Sequence, residues 1–502
     1  MHIESILHAP SATAVLALAL AGTGIVHDAT LAQPCLPYEQ LMAADGDDKE
    51  FFGGSVATRD GIVAVGASRH QISSDATGAV YLFDAATGQS MAKVLANDGE
   101  DRDLFGSSVA LSDGRLVVGA PGDDDLADGA GSAYIFDVNS GTQLVKLVAD
   151  DGGQFHAFGT SVDISGDHVV VGASGHRSAY VFDAMTGEQL LRLEPSFTGA
   201  VFGFSVAIDG TKAIVGDHLA DINGSDSGAA SVFDVLTGTE IAVIDPNDPD
   251  VGDLFGLSVD IEGGVVVASC VGDGPSRGAA YAFDAATGQQ LFKMLRTDPS
   301  NQQSFGSPVA IGDGVALVGA DSDDDPFTNA GSAYIFDAST GQQLTKLQPD
   351  NLTTSDRFGT ALAVGNNTAV VGADFFGEPL AETGAAFLFD VDTCAPRFQL
   401  EIFGNCPGEI EVVISNATPN GLVALEYSLF SGSFIIPDIF QCAGTRVNIG
   451  LPLLPGSPIM TTADNNGTAV ITGNVGLGAC SRLHMQAINV ADCQTTNVGI
   501  VE

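Results

Sequence analysis

Acidic side chains in clusters are the residues of this chain best placed to do chemistry. Three loops carry them: 122–129 (GDDDLADG), 217–226 (DHLADINGSD) and 321–329 (DSDDDPFTN). Asp123, Asp125 and Asp128 stand in the first, Asp217, Asp221 and Asn223 in the second, and Asp321, Asp323 and Asp325 in the third. Closely spaced carboxylates with an Asn supply the oxygen donors that a hard cation such as Ca²⁺ takes. None of the three has a full EF-hand spacing, so a solvated, solubilising loop is the competing reading. Catalytic constellations are harder to find. There is no G-x-S-x-G elbow, no H-E-x-x-H and no phosphate loop. The nine histidines are scattered, and His156, His168 and His176 read as surface or strand residues. Trp is absent, which weakens a glycosidase cleft lined by aromatics.

The elements that position these loops are repeats. Phe-Gly recurs at Phe52, Phe105, Phe158, Phe202, Phe255, Phe305 and Phe358, with spacings of 53, 53, 44, 53, 50 and 53. Phe-Asp recurs in phase at Phe83, Phe136, Phe182, Phe233, Phe283, Phe336 and Phe389. Between them lies a Val-rich run that usually ends in Gly-Ala, as at Gly66, Gly119, Gly172, Gly319 and Gly372. Each unit reads as four strands, a to d, joined by tight Asp-Gly and Thr-Gly turns. Four antiparallel strands in about 40–50 residues make a propeller blade. Strand a would line the axis, where the small residues Ser55, Ser108, Ser161, Ser205 and Ser258 fit.

The ring closes through the N-terminus. Residues 38–53 match residues 91–106 at an offset of 53. Strand 38–43 therefore occupies a strand d position, and the seventh unit lacks strand d. At the same offset Cys35 falls on Gly88 and Cys394 on Gly341, both in the c–d turn. The two cysteines thus flank the chain break in one blade, and a Cys35–Cys394 disulfide is expected. It would stabilise the ring by about 4–5 kcal/mol in the chain-entropy model.

With these markers in place, the sequence resembles the FG-GAP repeat family, whose best-known members are the β-propellers of integrin α subunits. The fullest match is Phe105-Gly106 leading to Gly119-Ala120-Pro121. The resemblance covers about residues 36–394. It implies a seven-bladed propeller that binds partners and does not catalyse a reaction. Many family members carry a calcium loop between strands a and b. Here that connection is only a turn, such as Ser112-Asp113-Gly114 or Gly312-Asp313-Gly314. That calcium site is not carried over, and the acidic loops lie between strands b and c instead.

Composition bounds the rest. The 502 residues carry 18 Lys+Arg against 63 Asp+Glu, a formal net charge of −45. Phosphate neutralisation needs a basic patch, so nucleic acid is excluded as a partner. A 45% hydrophobic fraction separates this chain from acidic disordered tails. The apolar run 12–26 is too short to span a bilayer and reads as a signal-peptide core, with cleavage at Ala32 and residues 1–32 removed. Residues 33–394 form the propeller. Residues 395–502 read as an Ig-like β-sandwich of alternating strands. Its Cys406, Cys442, Cys480 and Cys493 allow three disulfide pairings. Cys270 reads as a free, buried thiol. The fold class is all-β: a propeller followed by a sandwich. The expected function is exported binding or adhesion by a monomer, with an acidic face for an extracellular protein, a polysaccharide or Ca²⁺. The alternatives are a propeller hydrolase or lyase, or a structural envelope component.

Overall fold

The structure, a computed structural model, describes residues 38–45, 50–71, 76–274, 278–298, 305–377 and 383–394, and the backbone of the strands between 399 and 500. The leader expected over 1–32, Cys35, Cys406, Cys442, Cys480 and Cys493 lie outside the described residues.

Seven four-stranded antiparallel sheets form the blades of a β-propeller. Blade 2 shows the pattern: strand a is Ser108–Ser112, b Arg115–Ala120, c Ser132–Asp137 and d Thr142–Leu147. Blades 1, 3, 4, 5 and 6 span 52–94, 158–193, 205–244, 259–294 and 309–347. Blade 7 combines Ala361–Gly365, Thr368–Ala373 and Ala385–Asp390 with Glu39–Leu41 from the N-terminal side. Glu39 pairs with Leu388 and Leu41 with Ala386, so the early strand supplies the missing strand d.

Strands b and c are apolar on both faces because each sheet is covered on both faces by its neighbours. Strand d is the outer edge and alternates; Leu144 is 54% exposed while Leu147 is buried. Asp113 and Gly114 both have positive φ, 49° and 72°. They form the two-residue turn that a tight a–b hairpin requires. The Phe-Asp marker has two duties. Its Phe fills the core, and its Asp closes the c–d turn. Asp84 Oδ1 accepts the Thr87 N–H at 2.9 Å and the Thr87 hydroxyl at 2.7 Å. Asp137 treats Ser140 the same way, at 2.8 Å each. These hydrogen bonds hold both carboxyls below the usual carboxylate range.

The Phe-Gly and Gly-Ala markers belong to one contact. In each blade the Phe of Phe-Gly packs edge-on against strand c; Phe105 meets Tyr134 at 5.5 Å and Phe136 at 5.7 Å. The glycine that follows presses its carbonyl into the preceding blade. A Cβ on Gly119 of blade 2 would stand 2.0 Å from the Gly159 oxygen of blade 3. Gly172 and Gly203 stand in the same relation, and so do Gly372 and Gly53 across the closing seam, again at 2.0 Å. Backbone bridges such as Gly131 to Phe158 and Gly331 to Phe358 run beside these contacts. Blade 5 departs from the rule with Ser269, whose hydroxyl accepts the Ser258 N–H at 2.7 Å. The strand a serines add stitches: Ser55 donates to the Gly106 carbonyl at 2.8 Å and Ser108 to the Gly159 carbonyl at 3.0 Å.

Antiparallel order places the b–c loops and d–a connections at one end of the ring, here the upper end. The a–b and c–d turns lie at the lower end. Strand c of blade 7 runs downward into a single helical turn, Val391–Cys394. The chain therefore leaves the blades at the lower end, and strand d of blade 7 also begins there. The later strands pair into a three-stranded sheet containing Gln399–Gly404, Gly408–Ser415 and Ala469–Val475, and into a second sheet around Leu422–Ser428 and His484–Asn489. Among the described residues, no helix is long and apolar enough to cross a membrane.

Gly119→Ala should cost about 3 kcal/mol or more, because the new methyl meets backbone that moves only if two blades part. Gly61 has φ +77° and nothing within 4 Å of a built Cβ. Gly61→Ala should cost only about 1–2 kcal/mol of backbone strain. Denaturant unfolding of the two variants measures the difference.

Candidate functional site

The upper end gathers the acidic loops. Asp123 is 3% exposed and Asp323 and Asp217 are fully buried, so these three carboxylates are internal groups. Asp123 Oδ2 accepts the Tyr134 hydroxyl at 2.7 Å and pairs with Lys146 Nζ at 2.8 Å. The same ammonium reaches Asp125 at 2.6 Å and Asp98 at 2.9 Å. It lies 5.2 Å from the Tyr134 ring centroid. Asp323 Oδ2 accepts from Ser332 at 2.8 Å and Tyr334 at 3.2 Å, and pairs with Lys346 at 3.0 Å. Lys346 also reaches Asp325 at 3.2 Å.

The arrangement recurs wherever strand c carries Tyr and strand d a basic residue. In blade 5, Lys293 pairs with Asp273 at 2.6 Å and Asp248 at 2.9 Å, and Tyr281 donates to both carboxylates. In blade 3, Arg192 and Tyr180 share Asp151, at 2.6 and 2.8 Å. In blade 1, Lys93 and Tyr81 share Asp45, and Lys93 Nζ lies 2.6 Å from His70 Nε2. His70 Nδ1 in turn meets Glu50 at 2.6 Å. Blades 4 and 7 break the series, with Ser231 and Phe387 at the Tyr position and Val243 and Gln40 at the basic one.

Electrostatics follow from these contacts. Burial opposes ionisation of Asp123, but hydrogen bonds from Lys146 and Tyr134 outweigh it and hold the carboxyl below the usual range. Burial likewise opposes ionisation of Asp323, and the Lys346 charge outweighs it. Burial and the Asp123 carboxylate push the Tyr134 hydroxyl far up. Among the described residues Asp103 makes no ion pair, and the Glu100 N–H and the Lys146 charge only partly offset its burial. Its burial pushes it up to about 6, and it caps a d–a turn by accepting the Glu100 N–H at 2.7 Å.

The remaining sequence candidates are spread out. Asp217 accepts the Ala200 and Val201 N–H groups at 2.8 and 3.1 Å. Asp221 is exposed and accepts the Asp226 N–H at 2.8 Å. Asn223 donates to Asp245. Asp128 is exposed, with Gln154 at 3.5 Å. Asp321 accepts from Ser322 at 3.1 Å and has Arg357 Nε at 3.9 Å. Asp123 and Asp125 meet at one lysine, and Asp323 and Asp325 at another. Among the described residues, no group of three or more His, Cys, Asp or Glu has a metal-holding arrangement. Sequence reading passed over the basic partners. Their signal was present: Lys93 and Lys146, and Lys293 and Lys346, stand 53 apart. Cys270 is free and buried, and burial pushes its thiol above its ordinary value.

Lys146→Met leaves Asp123 buried without its cation and should cost about 3–5 kcal/mol. Tyr134→Phe removes one hydrogen bond to that carboxylate and should cost about 1.5–3 kcal/mol. Asp124→Asn, on an exposed neighbour, should cost less than about 0.5 kcal/mol. Because Asp123 is held low, the Lys146 contribution is full at neutral pH and is lost as pH falls through the carboxylate range. Denaturant unfolding at neutral pH and in acid tests both the order and the sign.

Comparison with curated proteins gives no match. The FG-GAP repeat model matches residues 38–83, 89–136, 142–182, 197–233, 239–283, 289–336 and 342–389. These segments run from strand d of one blade to strand c of the next, which is the offset that closes the ring. On the closed seven-bladed ring, its glycine contacts and these seven matches, the chain belongs to the FG-GAP repeat family.

Proposed function

We propose that this chain is an exported, non-enzymatic binding or adhesion protein whose upper, acidic end engages a cationic surface of an extracellular protein or polysaccharide. The observation that carries this reading is the division of the carboxylates at that end. Asp123, Asp273 and Asp323 are neutralised from within by Lys146, Lys293 and Lys346, and the buried Asp217 is held by backbone N–H groups. The exposed ones, among them Asp124, Asp128, Asp226, Asp250 and Asp324, face solvent. Such a field attracts cationic partners and repels anionic polymers. The chain enters strand Glu39–Leu41 and leaves the helical turn Val391–Cys394 at the lower end of the blades, opposite the acidic loops.

Two finer features go with the proposal. The segment 395–502 is a β-sandwich that tethers or extends the propeller. A Cys35–Cys394 disulfide locks the closing blade; Cys394 is buried there and is not a free thiol. Calcium at loops 122–129 and 321–329 would require Lys146 and Lys346 to give up their places beside Asp123 and Asp323.

The test is binding of the mature chain to surfaces of opposite charge at several salt concentrations. Capture by a lysine-rich protein or a cationic polysaccharide should weaken steeply between about 0.01 and 0.15 M salt, as the Debye length falls from about 30 to about 8 Å. An anionic polysaccharide should not bind. Equal binding to both surfaces, or binding indifferent to salt, would contradict the reading.

A further inference from the structure

Three residues after the end of strand b, blades 2, 5 and 6 place Asp123, Asp273 and Asp323. Blade 3 places His176 there. Its ring lies flat on the ring of His156, with centroids 3.8 Å apart and planes 10° apart. His156 belongs to the d–a connection that leads from blade 2 into blade 3, and His176 to the b–c loop of blade 3. The two segments meet at backbone distance. The Gly175 N–H donates to the His156 carbonyl at 3.1 Å, and a Cβ on Gly175 would stand 1.9 Å from the Phe155 oxygen.

The surroundings suit two neutral rings. His156 Nδ1 is buried with no hydrogen-bond partner, so an imidazolium N–H there would lack an acceptor. His176 Nδ1 lies 2.7 Å from the Tyr180 hydroxyl. That hydroxyl gives its own proton to Asp151 at 2.8 Å, so Nδ1 already carries the hydrogen of the neutral ring. Asp151 stands 3.9 Å from Nδ1 and is held by Arg192 at 2.6 Å. Arg192 also holds Glu194, at 2.7 Å. Asp150 and Arg177, on the same two segments, are exposed, and Asp128 of the blade 2 loop faces Gln154 at 3.5 Å. Among the described residues, no carboxylate pairs with His156.

We propose that His156 and His176 form an acid-released latch at the upper end of blade 3, closed by the neutral ring stack and opened in mild acid, when two charged rings repel at that distance. Burial lowers the His176 value, and the His156 and Arg192 charges lower it further, against Asp151 and Glu194. The contact is therefore at full strength above the ordinary value of 6.5 and is lost as pH falls below it. Asp123 and Asp323 are held below the usual carboxylate range, so the ties of blades 2 and 6 outlast the latch as pH falls. Release acts on residues 153–157 and 174–177 and leaves the blades themselves paired.

The test is hydrogen exchange of the full chain at about pH 7.5 and about pH 5, each rate taken relative to the unstructured rate at the same pH. Protection of residues 153–157 and 174–177 should fall about tenfold or more, while that of residues 121–124 in blade 2 holds. H176D installs the residue of blades 2, 5 and 6 and should show no such fall. Unchanged protection in the wild type, or an equal fall in H176D, would overturn the proposal. If H176D does not fold, ring-proton NMR of the wild type decides. Two linked titration steps, one of them below the ordinary 6.5, support the latch. Two rings that titrate independently at the ordinary value overturn it.

Discussion

A glycine in one blade lies against the carbonyl of a glycine in the next, and the ring depends on that approach. The distance is too short for any side chain: a Cβ on Gly119, Gly172 or Gly372 would stand 2.0 Å from the facing oxygen. Close approach brings strand b of one blade against the start of strand a of its neighbour. That places Phe105 and its equivalents over the Tyr and Phe of strand c, fully buried. The apolar layers between blades follow from this spacing. One such layer joins Val117, Ile135 and Leu147 of blade 2 to Phe158, Val162 and Val171 of blade 3. A chain without Trp fills the interblade space this way, with medium aromatics and a backbone that comes in close.

The charge distribution answers to the same geometry. A carboxylate buried in a protein of net charge −45 needs a cation or N–H donors beside it; Asp123 and Asp323 take lysines, and Asp217 takes the Ala200 and Val201 N–H groups. Basic residues are scarce, and five of them sit at equivalent strand d positions: Lys93, Lys146, Arg192, Lys293 and Lys346. Each lies between carboxylates of its b–c loop or of the preceding d–a connection, or beside the histidine that replaces the former. The upper loops are thereby tied to the blades, and their outer carboxylates remain in solvent.

Much of the fold was legible in the sequence because repetition fixes registers. Phe52 to Phe358 set the blades, and the match of 38–53 to 91–106 placed Glu39–Leu41 as the closing strand. The contact between Gly119 and Gly159 was not legible, because the two markers are far apart in sequence and each reads as a local turn or strand end. The candidate site was legible in position but not in partnership. Asp123 and Asp125 have the spacing of cation ligands, and their cation comes from Lys146, on a different strand of the same blade. Single departures were harder still. Asp163 and Asp260 resemble any strand aspartate until the ring aligns them with Ala57, Ala110, Ala207, Ala310 and Ala363. Blades 4 and 7 show the converse, since the loss of the Tyr–Lys pair there becomes visible only beside the five blades that keep it.

The central claim is that Asp123, Asp273 and Asp323 at the acidic end are held by the protein's own lysines. A crystal structure of the mature chain grown in millimolar calcium tests it most directly. The account predicts Lys146, Lys293 and Lys346 ammonium groups beside Asp123, Asp273 and Asp323, with no ion coordinated there. A calcium ion at about 2.3–2.6 Å from those carboxylate oxygens, with the lysines turned out to solvent, would contradict it.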